Sequence, residues 1–357
     1  MKRKLLIGSL LSLIFLYLAF RQSDFGEIYR HLRETRTVYL IPAVVLTLLH
    51  MFFRALRWRH LLAAVKVIPL SPLYRSTLIG FMANNLLPAR LGELVRAHVI
   101  GRWENISRSA ALATIAMERV FDLFTMLVLF GLIAVFLPLT PAVRQIGIAG
   151  LGFGVLILGF FIALHHTGPR AVQVVGRFLP GRIRARGMQI VASFQAGLAV
   201  LREGRQLLWA ALYSFVMWAL IVVVIHSCFA AAEVTAGGEP LPPAAGVVVL
   251  VVMAIGLMVP SGPGFVGSLQ LAAKLGLKVF GVEDNTALSF SIVYHATQWL
   301  PITIVGLVFL IQANLSLKEI AQRSQKETTV VARETEPGDG ESAGGFSARD
   351  RRRKEND

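Results

Sequence analysis

The sequence predicts an all-α, polytopic membrane helix bundle, and three observations carry that reading. Hydrophobic residues make up 55% of the 357, charged residues only 16%, and the mean hydropathy is +0.63. A water-soluble domain of that balance would expose large apolar patches. The apolar residues also come in runs near membrane-spanning length, separated by basic connectors. About seven to eight spans are predicted, with re-entrant or broken helices near 76–90 and 260–280.

The first element follows Lys2-Arg3-Lys4 and runs from Leu5 to Phe20. No small-x-small cleavage pattern follows it, so it reads as a retained helix with its N-terminus in the cytoplasm. A second span is expected from Val38 to Phe53, and then a cytoplasmic connector holding Arg54, Arg57, Arg59, Lys66 and Arg75 without an acidic residue. Residues 76–89 are apolar but short and contain Asn84, Asn85 and Pro88, which suits a re-entrant helix. A long helix is expected from Ala110 to Leu137, stopped by Pro138 and Pro141, and another from Ile146 to Leu164.

Seven arginines against one glutamate between His165 and Gln206 mark a second cytoplasmic connector. Spans near 207–232 and 244–260 are joined by a link with Glu233 and Glu239 but no Lys or Arg, as an exterior loop requires. Ser261-Gly262-Pro263-Gly264 must break the helix, because Pro lacks an N–H and Gly tolerates unusual dihedrals. A shorter apolar helix follows to Phe280, and a last span covers Ala287 to Ile311. Two domains result: a membrane domain over 1–315 and a disordered, charged cytoplasmic tail over 316–357, rich in Gly, Glu and Ser.

The formal net charge is +15. Nine basic and nine acidic residues of the tail cancel, so the whole excess sits in connectors and helix ends, facing cytoplasm and anionic headgroups. No basic stripe with interleaved aromatics points to nucleic acid. The single cysteine, Cys228, lies in an apolar run, and the eight histidines show no metal-ligand spacing. No cofactor is expected, and no nucleophile elbow, Walker loop, dinucleotide fingerprint or HExxH motif is present, so catalysis is not the favoured reading.

Three constellations place polar groups where they are costly. In the first, Asn84, Asn85, Pro88, Arg90, Gly92, Glu93 and Arg96 surround a helix break. Pro88 stops one helix, Gly92 allows close backbone approach, and Arg90 and Arg96 flank Glu93 at three-residue spacing. Two guanidiniums around one carboxylate leave a positive site for a phosphate or carboxylate headgroup; a solvated loop ion pair is the plainer account.

In the second, Glu118, Arg119 and Asp122 sit inside an apolar helix. An Arg119–Asp122 bridge would be structural, and Glu118 would then need Arg90 or Arg96 as a partner or else be free to take up a proton. In the third, Pro260, Gly262, Pro263, Gly264 and Gly267 form a break that could aim N–H groups at an anion, while Tyr294, His295 and Gln298 share a helical face. Satisfied core polar groups in a kinked helix are the alternative there.

These motifs, in this order over residues 5–315, resemble the transmembrane region of the lysylphosphatidylglycerol synthase family, a flippase-like membrane domain. The resemblance implies a bundle with broken, re-entrant helices and, in characterised members, movement of an aminoacylated phospholipid across the membrane. Related single-domain members are linked to hopanoids and isoprenoid-linked sugars. Two positions depart from the pattern: Gln270 stands where Glu is frequent, and His295 where Arg is common. The residues after 315 do not read as the synthase's soluble aminoacyltransferase domain, so lysyl-lipid synthesis is not expected.

The function expected is therefore lipid handling in the inner cell membrane, as a flippase-like transporter of an anionic or modified lipid. Arg90 and Arg96 would hold the headgroup, Glu118 and Asp122 would tune charge, and the glycines at the two breaks would act as hinges. The other readings are an intramembrane lipid-modifying enzyme, with Glu93 or Glu118 as base, and a non-catalytic partner of a lipid- or glycan-synthesis enzyme. The sequence leaves the oligomeric state open.

Overall fold

A computed structural model of the chain describes residues 2–87, 91–136, 199–258 and 261–316, with isolated positions between 145 and 196. The expected 146–164 span, the 165–198 stretch of the basic connector, Pro88, Arg90, Pro260 and the tail lie outside the described residues. Within them are ten α-helices and a single two-stranded ribbon. The helices are α1 (Lys2–Phe20), α2 (Phe25–Glu34), α3 (Leu40–Leu62), α4 (Leu70–Leu86) and α5 (Gly92–Glu104). They continue with α6 (Arg108–Phe136), α7 (Gly204–Ala231), α8 (Ala244–Met258), α9 (Ser268–Lys278) and α10 (Asp284–Gln312). The protein is all-helical in architecture, as its apolar runs predict.

Three of these are long and apolar enough to cross a bilayer: Thr37–Leu62, Gly204–Ala231 and Asp284–Gln312. Ser9–Phe20 and Ala244–Met258 are apolar but shorter. The second span ends later than predicted. The expected connector at 54–62 is helix, because Met51, Ala55, Trp58 and Leu62 continue the buried stripe at helical spacing past Phe53.

Both predicted breaks are tips of antiparallel helical hairpins. In the first, Leu73 of α4 clusters with Ala97 and Ile100 of α5. Nearer the tip, Gly80 lies against Gly92 and Arg96. A β-carbon on Gly92 would collide with the Gly80 carbonyl oxygen and the Asn84 side chain, so only glycine lets the two backbones approach this closely. In the second hairpin, Gly276 of α9 packs on Val249 of α8, and Gly256 on Ala272. Its tip needs left-handed backbone at Gly264 (φ 69°) and Gly267 (φ 90°). Gly262 is extended, at φ −65°, so it is not a position that glycine alone can occupy.

The two tips meet. A β-carbon on Gly264 would sit 3.3 Å from the Asn85 carbonyl oxygen, and the Asn85 amide donates to Thr303 Oγ1 (2.8 Å) and the Trp299 carbonyl (3.4 Å) on α10. The link after α7 forms a short ribbon, Thr235–Ala236 against Glu239–Pro240, turned by Gly237 and Gly238 with positive φ. α3 lies centrally, packed on α4, α6, α7 and α10.

Candidate functional site

The charged residues collect where α3, α5, α6 and α7 converge beside the first hairpin. Their placement follows from helical spacing. Arg54 and Arg57 are three apart on the buried side of α3, and Thr114, Glu118 and Asp122 recur every four residues on the buried side of α6.

Arg96 of α5 grips Glu118 with both terminal nitrogens, Nη1 to Oε2 at 2.7 Å and Nη2 to Oε1 at 2.8 Å. Its guanidinium carbon also lies 3.5 Å from the centre of the Trp58 ring, a cation–π contact. Trp58 Nε1 donates to Thr114 Oγ1 at 2.9 Å, which fixes the ring beneath the arginine. Arg57 Nη1 donates to Asp122 Oδ1 at 2.6 Å and to Ser214 Oγ of α7 at 3.0 Å, while Nη2 lies 3.8 Å from Glu118.

Arg54 is held more loosely. Its Nη1 is 3.6 Å from Asp122 Oδ2, beyond hydrogen-bond distance, and its guanidinium rests over Phe81 of α4 at 4.9 Å. At the more exposed edge, Arg119 donates to Glu93 Oε1 from Nη2 (2.7 Å) and Nε (3.1 Å) and to Asp122 Oδ2 from Nη1 (3.3 Å).

The balance of charge is uneven. Among the described residues, three guanidiniums, of Arg54, Arg57 and Arg96, are buried here with two carboxylates, of Glu118 and Asp122. Arg119 and Glu93 offset one another at the rim. Several guanidinium nitrogens are shielded from solvent yet have no acceptor among the described residues: Nε and Nη1 of Arg54, Nε and Nη2 of Arg57, and Nε of Arg96. Chemically, the site is an anion receptor with unused donors.

Several sequence expectations are corrected by this geometry. Arg54 and Arg57 are not connector residues; α3 carries them into the interior. Arg96 and Glu93 do not share one site, because Arg96 is spent on Glu118 and Glu93 on Arg119. The Arg119–Asp122 bridge exists, but each member has a shorter contact elsewhere. Of the two partners expected for Glu118, Arg96 holds both its oxygens, so Glu118 is not a surplus carboxylate.

The third constellation disperses. Tyr294 stacks on Phe290 in an apolar cluster, ring centres 5.9 Å apart. Gln298 donates to Thr47 of α3 at 2.6 Å, and His295 Nδ1 lies 3.0 Å from Gln270 Nε2. Two N–H groups at this break have side-chain partners, Gly267 on Gln270 Oε1 (2.8 Å) and Gly262 on Ser12 Oγ of α1 (2.7 Å). Asn84 is spent likewise: its Oδ1 accepts from the Gly92 N–H at 2.8 Å and caps α5.

The residues that sequence reasoning missed are Arg54, Arg57, Trp58 and Ser214. A signal for the first three existed in Met51, Ala55, Trp58 and Leu62, whose spacing carries one helix face through the arginines. Among the described residues, Glu27, His31 and Glu283 bring potential metal-ligand atoms within 4.8 Å of one another. The Asn285 amide donates to both carboxylates, which accounts for their approach without an ion.

The pattern of the lysylphosphatidylglycerol synthase TM region family matches residues 5–306. The chain belongs to that family. It is similar to two UPF0104 membrane proteins of Methanothermobacter thermautotrophicus. One is 26% identical, covering 82% of this chain and 91% of the relative; the other is 25% identical, covering 86% and 92%. It is also 25% identical to the glycosyltransferase AglD of Haloferax volcanii over 89% of this chain, which spans only 55% of that protein. Family and apolar helices together make this a membrane protein.

Proposed function

We propose that the protein is a flippase-like transporter of an anionic or modified lipid, resident in the inner cell membrane with its N-terminus in the cytoplasm. The observation that carries this reading is the buried excess of guanidinium over carboxylate beside the tip of a helical hairpin. Ionisable groups inside membrane helices are expensive, and an excess of one sign with unused donors calls for a ligand of the other sign. An apolar groove of about 340 Å³ between α2, α3 and α10, bordered by Leu32, Val44, Ile292 and Leu300, offers space suited to an acyl chain. Two broken helices whose tips meet are the arrangement transporters use to frame a substrate site. The test is leaflet-resolved lipidomics of a strain lacking the protein. Accumulation of one lipid in one leaflet, reversed by the wild-type gene, is expected; unchanged leaflet composition overturns the reading.

A second reading, a membrane partner of a lipid- or glycan-synthesis enzyme, is favoured by the similarity to the glycosyltransferase AglD along most of this chain. Co-purification with a glycosyltransferase, without any change in leaflet composition on deletion, would decide for it.

A further inference from the structure

We infer that Arg54 is the receptor for a single negative charge, the phosphodiester of a monoanionic lipid, an assignment that rests on the transport reading and narrows its substrate class. Arg54 is only 4% exposed, yet its Nε and Nη1 have no hydrogen-bond acceptor among the described residues. Its ion pair with Asp122, at 3.6 Å, is the longest that Asp122 makes; the carboxylate is already engaged by Arg57 at 2.6 Å and Arg119 at 3.3 Å. Arg57 and Arg96 have structural work, on Asp122, Ser214 and Glu118. Arg54 is therefore the guanidinium left over when the buried carboxylates have been assigned.

The count also sets the ligand's charge. Among the described residues, three buried guanidiniums against two buried carboxylates leave one positive charge, which one phosphodiester neutralises. A dianionic head would overshoot, and a purely cationic one would add to the excess. Either unused donor, Nε or Nη1, can give a charge-assisted hydrogen bond to a phosphate oxygen. The lipid, rather than a soluble anion, is favoured by the position of Arg54 on α3, the helix whose Leu40 and Val44 line the apolar groove nearer its N-terminus.

The test uses the full chain in nanodiscs or mild detergent, with binding read by native mass spectrometry and by thermal stabilisation. Ligands are phosphatidylglycerol (one negative charge), phosphatidylcholine (no net charge) and inorganic phosphate. Wild-type protein should bind phosphatidylglycerol roughly tenfold or more tightly than phosphatidylcholine, with that preference lost in Arg54→Gln and partly kept in Arg54→Lys. Equal affinity of wild type for the two lipids overturns the inference, and needs no variant to fold. So does undiminished preference in Arg54→Gln. Saturation by inorganic phosphate without any lipid preference overturns the lipid assignment. Arg54-dependent binding in a protein that moves no lipid leaves the receptor standing and removes only the transport reading.

Discussion

Arg96 and Glu118 face one another across the α5–α6 contact in a two-pronged ion pair, at 2.7 and 2.8 Å, with the Trp58 ring stacked under the guanidinium. Both side chains are almost wholly buried. The pair ties the short arm of the first hairpin to the long α6 helix and holds a face of the charged interior in place. Because Glu93 and Arg119 pair in the opposite sense one turn away, the two contacts fix the register of α5 on α6.

Removing one member of this pair strands the other. Glu118→Ala should cost about 3–5 kcal/mol, since it leaves Arg96 buried and unpaired and deepens the positive excess. Arg96→Met together with Glu118→Leu should cost less than Glu118→Ala alone. Thermal unfolding in detergent, followed by size-exclusion chromatography, reads the order of the variants.

Gln270 and His295 answer one another. The structure places the two side chains 3.0 Å apart. Gln270 Oε1 accepts from the Gly267 N–H, so its amide nitrogen donates to His295 Nδ1. A hydrogen bond thus joins α9 to α10 here. Gln270→Glu alone should lower stability by about 1–3 kcal/mol, because a carboxylate would face an acceptor nitrogen. Adding His295→Arg should recover most of the loss in the same unfolding measurement.

Gly92→Ala should loosen the first hairpin. The new methyl group meets the Gly80 carbonyl and Asn84, both backed by packed helix, and overpacking of this kind costs about 1–3 kcal/mol. Gly131→Ala is the control, since nothing lies within 4 Å of its added carbon. Protease accessibility of the α4–α5 connection should rise in the first variant and stay unchanged in the second.

Trp58 joins two functions that substitution separates. Trp58→Phe keeps a ring under Arg96 but loses the 2.9 Å hydrogen bond to Thr114, for a cost near 1 kcal/mol. Trp58→Leu loses the cation–π contact as well and should be the less stable of the two in thermal unfolding.

Much of this architecture was legible in the chain. Gly92, Gly264 and Gly267 announced the hairpin tips, because backbone that must approach closely or adopt positive φ leaves a mark in composition. The acidic pair Glu118 and Asp122 likewise stood out against an apolar helix. The partners of that pair did not. Arg57 lies 65 residues before Asp122, and basic residues after an apolar run read as a cytoplasmic connector under the same charge rule that orients the other loops. Only packing of α3 on α6 reveals that these arginines point inward. The dispersal of Tyr294, His295 and Gln298 has the same origin: residues close on one helix face different neighbours when three helices pack around it.

The most direct measurement is transbilayer movement of labelled phosphatidylglycerol in proteoliposomes, with protein-free vesicles and matched, folded Arg54→Gln protein alongside. Movement by the wild type well above the protein-free rate, falling roughly tenfold or more in the variant, is the predicted result. A wild-type protein that moves no lipid faster than empty vesicles contradicts the account.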